Sequence, residues 1–154
     1  MATIERSIEV NVPVRTAYNQ WTQFEEFPRF MEGVKEVRQI DDTHLHWRAE
    51  IGGREQEWDA VITEQIPDDR VAWRSTTGAT NAGVITFHRI ADGVTRAMLQ
   101  LEYEPEGMAE NTGNMLGLVS RRVEGDLERF KSFIESRGQA TGGWRGEVPQ
   151  TKTS

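Results

Sequence analysis

The chain has no cysteine, which excludes a disulfide framework, a thiolate nucleophile and a cysteine-ligated zinc, and suits a reducing compartment. It has no run of eighteen apolar residues, and its opening MATIERSIEV carries charges where an export signal would have an apolar stretch. A cytoplasmic protein without integral membrane association is the expectation. Basic residues are outnumbered, 18 Lys and Arg against 25 Asp and Glu, for a formal net charge of -7. A surface of that sign repels phosphate backbones, so nucleic acid is not an expected partner. Histidine is scarce too. His44 and His46 share one strand face at i, i+2, His88 falls elsewhere, and without a third ligand no metal is expected. No glycine-rich strand-to-helix junction is present to cradle a phosphate, since Gly52-Gly53 reads as a hairpin turn and Gly142-Gly143 as part of a tail. Ser75 has no histidine on its face, which leaves serine hydrolase chemistry unsupported. No cofactor is expected, and the chain is read as a monomer or homodimer.

What the chain does have is one long amphipathic stretch at its end. Over residues 111–137, Leu116, Val119, Val123, Leu127, Phe130 and Ile134 recur at helical spacing and form a single apolar stripe. Gly113, Gly117 and Gly125 each cost about 1 kcal/mol in a helix interior, and the first two sit beside flexible Met115, Leu116 and Leu118. The first half is therefore expected to border a space, while Val123 to Ile134 anchor the fold. Upstream, apolar and polar residues alternate in strands predicted at 3–12, 34–41, 43–51, 54–66, 70–76, 82–90 and 94–104. Pro13 ends the first strand, and two short helices follow before Gly33.

Turn chemistry sets the registers. Gly52-Gly53 pairs Ile51 with Arg54, Trp47 with Trp58 and Leu45 with Ala60. A turn at Pro67 to Arg70 puts Val71, Trp73 and Ser75 on the face of Trp58, Ala60 and Ile62. Ala91-Asp92-Gly93 reads as a three-residue loop with a left-handed glycine, pairing Phe87 with Ala97, Ile85 with Leu99 and Gly83 with Leu101, with Tyr103 ending the row. The opposite faces are polar throughout, so the sheet is antiparallel and covered on one side only. The cover is the long helix. The fold class is α+β: a curved seven-stranded antiparallel sheet around a C-terminal helix, one domain over 1–138, and a flexible tail over 139–154.

The order of these elements, with VPVRTAYNQWTQFEEFPRFMEGV, DTHLHW, RVAWRST, NAGVITF and TRAMLQLEYEPEG, resembles the START-related helix-grip (SRPBCC) superfamily. Within it the chain is similar to the polyketide cyclase/dehydrase and coenzyme Q-binding group over residues 3 to 137. The resemblance implies a hydrophobic ligand between sheet and helix. Its members carry lipids, bind quinones, cyclise polyketides or assist chaperones, so fold alone does not choose the activity.

On this reading the ligand-binding wall is Trp47, Trp58, Trp73, Ile85, Phe87, Leu99, Leu101, Tyr103, Met115, Leu116 and Val119: rigid aromatics opposite a helix with small residues. Any one of these could equally fill a core. Phe24, Phe27, Phe30 and Met31 read as a lid, or as plain packing of the short helices. Arg6, Gln56, Glu64, Ser75 and Tyr103 are the inward polar residues, and Tyr103, Arg6 and Glu64 are the catalytic candidates if the ligand is converted. The expected function is binding or transport of a polyketide, quinone or lipid. The alternatives are an aromatase/cyclase and a protein-interaction or chaperone-like module using Phe24 to Met31 as its surface.

Overall fold

The computed structural model describes residues 2–51, 53–78, 80–104 and 112–149, and their side chains except at 2, 51, 104 and 112–116. Seven strands, β1 (Ala2–Val10), β2 (Val34–Gln39), β3 (His44–Ile51), β4 (Arg54–Ile66), β5 (Arg70–Ser75), β6 (Thr80–Ala91) and β7 (Val94–Glu104), form one sheet in the order β1-β7-β6-β5-β4-β3-β2. Every neighbouring pair is antiparallel. Between β1 and β2 lie helix α1 (Val14–Trp21) and a 3-10 turn, Phe24–Arg29. Helix α2 (Thr112–Arg137) follows β7 and lies across the apolar face.

The alternation of β-branched and aromatic residues with charged ones explains this arrangement, because only one face of each strand has anything to bury. Along α2 the stripe is buried, from Val119 and Val123 at 8% exposure to Phe130 and Ile134 at 0%. Gly138 closes the helix, its N–H donating to the Ile134 carbonyl at 2.9 Å. The deepest knot joins both helical regions. Phe130 meets Trp21 and Phe30 with ring centroids 5.3 Å away in each case, and Trp21 meets Phe27 at 5.0 Å.

Registers follow the turns, with irregularities in β2–β3, β4–β5 and β6–β7. Trp47 pairs with Trp58 and Leu45 with Ala60, and Phe87, Ile85 and Gly83 pair with Ala97, Leu99 and Leu101. The β6–β7 turn differs in detail: Ala91 pairs with Val94 and a bulge precedes it, so Gly93 does not take the left-handed φ expected of it. In β4 a bulge between Ile62 and Glu64 shifts the phase by one residue. Beyond it Gln65, 1% exposed, occupies the inner face, and Glu64 turns aside to pair with Arg70 at 3.2 Å. The reading of Glu64 as an inward residue fails for that reason.

Residues 139–149 do not hang free as a tail. Val148 exchanges both backbone hydrogen bonds with Gln65 at 2.8 Å, the Trp144 N–H donates to Thr22 Oγ1 at 3.0 Å, and Arg145 pairs with Asp68 at 2.8 Å. Buried Gln20 on α1 receives the Thr141 N–H at 2.8 Å. This strap binds through backbone groups, which hydropathy does not register. Residues 150–154 of the expected tail lie outside the described residues.

Truncating the central ring of the aromatic knot, Phe130→Ala, is expected to cost about 3–5 kcal/mol of stability, read by urea denaturation; a loss under about 1 kcal/mol would show that the knot does not carry α2.

Candidate functional site

Between the sheet and α2 a cavity of about 170 Å³ remains. Trp47, Trp58, Ile62, Val71, Trp73, Leu99, Leu101 and Tyr103 line it from the sheet, Val119, Val123, Asp126 and Leu127 from α2, and Trp21, Phe24, Phe27 and Met31 from the segment between β1 and β2. Trp47 and Trp58 stack with planes 6° apart and centroids at 5.7 Å, the consequence of their direct cross-strand pairing. Trp73 lies flat over its partner on β6, Gly83, where an added Cβ would come within 2.5 Å of the ring. A side chain there would push the indole off the sheet and into the cavity.

Four polar side chains reach this apolar lining: Gln56, Asn81, Tyr103 and Asp126. The Tyr103 side chain is hydrogen-bonded to Gln56, and burial pushes its phenol above the ordinary value despite that bond. Asp126 is the more perturbed group. Burial pushes its carboxyl up from 3.8 to about 6, against the lowering effect of hydrogen bonds from Arg129 and from the Glu32 backbone. Its Oδ1 accepts from Arg129 Nη2 at 2.5 Å and from the Glu32 N–H at 2.9 Å.

Asp126 belongs to a polar row along α2 that fastens the segment over the cavity. Arg122 Nη1 donates to the carbonyls of Glu32 and Glu50, both at 2.9 Å, and Arg129 Nε donates to the Phe30 carbonyl at 2.9 Å. Residues 122, 126 and 129 share one helix face, so about two turns of α2 satisfy the backbone where the 3-10 turn gives way to β2. Gly33 makes room for this. Its φ is +86°, and a Cβ built there would lie 1.7 Å from Arg122 Nη1.

The model of the polyketide cyclase / dehydrase and lipid transport family matches residues 10–131. The chain belongs to that family. A 17.2 kDa uncharacterised protein of Streptomyces lincolnensis is 58% identical over 149 residues, covering 96% of this chain and 99% of that one. Among solved structures, the Zhui aromatase/cyclase from Streptomyces sp. R1128 superposes with a TM-score of 0.77 at 14% identity, over 93% of this chain and 99% of that one. A START superfamily protein from Mycobacterium smegmatis gives 0.71 at 13% identity, over 88% and 95%. These likenesses establish the helix-grip fold, as the resemblance in sequence implied.

Of the residues expected to line a site in this family member, Trp47, Trp58, Trp73, Leu99, Leu101, Tyr103 and Val119 do border the cavity. Ile85 and Phe87 do not: both are packed in the core, Phe87 edge-on to Tyr18 with centroids 5.7 Å apart. The side chains of Met115 and Leu116 lie outside the described residues. Of the expected lid, Phe24, Phe27 and Met31 reach the cavity, whereas Phe30 is 2% exposed and packs on Phe130 and Phe133. Arg6 is on the helix-facing side but does not line the cavity, because Glu124 takes it at 2.8 Å and Ser120 Oγ at 2.5 Å. Ser75 accepts the Asn81 N–H at 3.0 Å. Gly117 is not among the described residues that line the cavity, and a Cβ there would meet only Arg121, at 3.9 Å. Val123 and Leu127, expected as pure anchors, are part of the wall.

Asp126 was invisible in the sequence because it sits among Glu124, Glu128 and Arg129, a run that reads as a wet helix face. The one available signal was its place three residues after Val123 and one before Leu127, on the edge of the apolar stripe.

The folded protein holds a proton on Asp126 where the unfolded chain does not, between about pH 4 and pH 6. Its contribution to stability is therefore greatest below pH 4 and declines as pH rises through 6. Asp126→Asn removes that decline, so the stability of wild type relative to the variant is expected to fall by up to about 3 kcal/mol from pH 4 to pH 7, measured by urea denaturation at the two values; parallel profiles would contradict the burial of this carboxyl.

Proposed function

We propose that this protein binds, and carries, one small flat hydrophobic molecule between the sheet and α2. The observation that carries the reading is a cavity of about 170 Å³ walled by Trp47, Trp58, Trp73, Phe27 and aliphatic residues, with only four polar side chains among its described lining. An apolar cavity of about 150 Å³ stays dry and admits a benzene ring. Ligand pockets more often run to roughly 300–1,000 Å³, so this one suits one or two fused rings as it stands. A quinone headgroup or a small polyketide fits that description. A longer polyketide or a lipid would need Phe27 and Met31 to swing aside.

Carriage is favoured over conversion. Arg6 is held by α2 and Glu64 by Arg70, so two of the three groups a cyclase would have used are engaged elsewhere. Tyr103 and Asp126 remain as the titratable residues among the described lining. Use of the Phe24 to Met31 segment as an interaction surface has little support, because Phe24, Phe27 and Phe30 are at most 4% exposed. The family description spans cyclisation and lipid transport, which accords with a shared cavity and divergent chemistry.

Organic extraction of the purified protein, followed by mass spectrometry, is expected to recover a defined hydrophobic molecule in near-stoichiometric amount. Val119→Trp, which fills the space from the helix side, is expected to abolish that recovery while leaving a cooperative unfolding transition. An empty wild-type protein that also binds no small aromatic added to it would end this reading.

A further inference from the structure

The carboxyl of Asp126 is placed in a way that the carriage of an apolar molecule does not require. Among the described residues its two hydrogen bonds both end on Oδ1, from the Glu32 N–H and from Arg129 Nη2, and nothing hydrogen-bonds Oδ2. The residue lines the cavity, and its side chain is only 15% exposed. The wall of this apolar cavity therefore carries one carboxylate oxygen that no described protein group satisfies. The neighbouring charges cannot satisfy it. Arg129 is bound to Oδ1 and to the Phe30 carbonyl, and Arg122 is committed to the Glu32 and Glu50 carbonyls, with the Glu32 carboxylate 3.6 Å from its Nε. From the sheet, Tyr103 is hydrogen-bonded to Gln56.

We propose that Asp126 is the specificity-determining residue of this cavity, and that it selects flat one- or two-ring ligands bearing a hydrogen-bond donor, taken up by Oδ2. This rests on the reading of the cavity as a ligand site and narrows it to a chemical class. The Arg129 and Glu32 bonds act as positioning contacts: they fix the carboxyl plane, so Oδ2 is the atom left to the ligand. The raised proton affinity of the carboxyl agrees with that shortage of partners, since a donor from the ligand would stabilise the ionised form.

A matched pair of bicyclic probes tests it. Indole carries an N–H donor and no competing acceptor, whereas benzothiophene has nearly the same shape and no donor. Isothermal titration of the intact chain at pH 7 is expected to give indole an affinity tenfold or more above that of benzothiophene, the order of effect of a hydrogen bond to a charged group. The preference is expected to shrink between pH 7 and pH 5, as the ionised fraction of a group titrating near 6 falls from roughly nine-tenths to one-tenth, while benzothiophene binding stays flat. In Asp126→Asn the amide nitrogen replaces Oδ2 as a donor, so the preference should vanish with benzothiophene binding retained, which also reports that the variant is folded. Equal binding of the two probes to wild type, or an indole preference that survives Asp126→Asn, overturns the role of Asp126 and leaves the cavity reading intact. Failure of both probes to bind wild type overturns the cavity reading and this proposal with it.

Discussion

A sheet with one apolar face has to be covered, and here a single contact fixes how. Phe130 enters between Trp21 and Phe30 and ties α2 to the segment that links β1 and β2. Because β1 and β2 are the two edge strands, anchoring that linker to the helix also ties together opposite margins of the sheet. The rest of the interior follows from where this anchor sits. It lies in the C-terminal half of α2, so closest packing is reached there, with Phe130 and Ile134 fully buried. Further up, Val119 and Val123 face large rings across a gap that neither side fills. The cavity is the space left by fastening a long rod at one end.

Most of this was legible before any coordinates. Strands alternate because the sheet has one dry face, and Gly52-Gly53 admits one tight hairpin, so the Trp47 and Trp58 pair could be placed by counting. What could not be counted was where a strand would gain a residue. The β4 bulge has no strong local marker, yet it exchanged Glu64 for Gln65 on the inner face. One residue of slip is the difference between a carboxylate facing the cavity and one paired with Arg70 beside it. The helix glycines suggested a gap beside the first half of α2, but the direction of each Cβ depends on helix rotation, which the stripe fixes only to within a neighbouring position. Among the described residues the α2 wall runs from Val119 to Leu127.

The polar contacts were the least visible part, because their partners are backbone atoms. Arg122, Asp126 and Arg129 read as an ordinary charged helix surface, and each in fact serves a carbonyl or N–H of the Phe30 to Gly33 or Glu50 backbone. The same is true of the C-terminal strap, whose glycines and threonine suggest disorder while the main chain of Thr141, Trp144 and Val148 is engaged by Gln20, Thr22 and Gln65. Side-chain patterns report what a segment can bury, and they are silent about main-chain groups elsewhere that need a partner.

Gly33 and Arg122 occupy what is in effect one volume: the guanidinium sits where any side chain at 33 would begin. Neither position can drift alone without loss. A change at 33 evicts the arginine from two carbonyls, and shortening residue 122 removes the donor that both of them share. Two sites 89 residues apart in the chain thus share one volume, so the closure of the cavity at this edge depends on both at once.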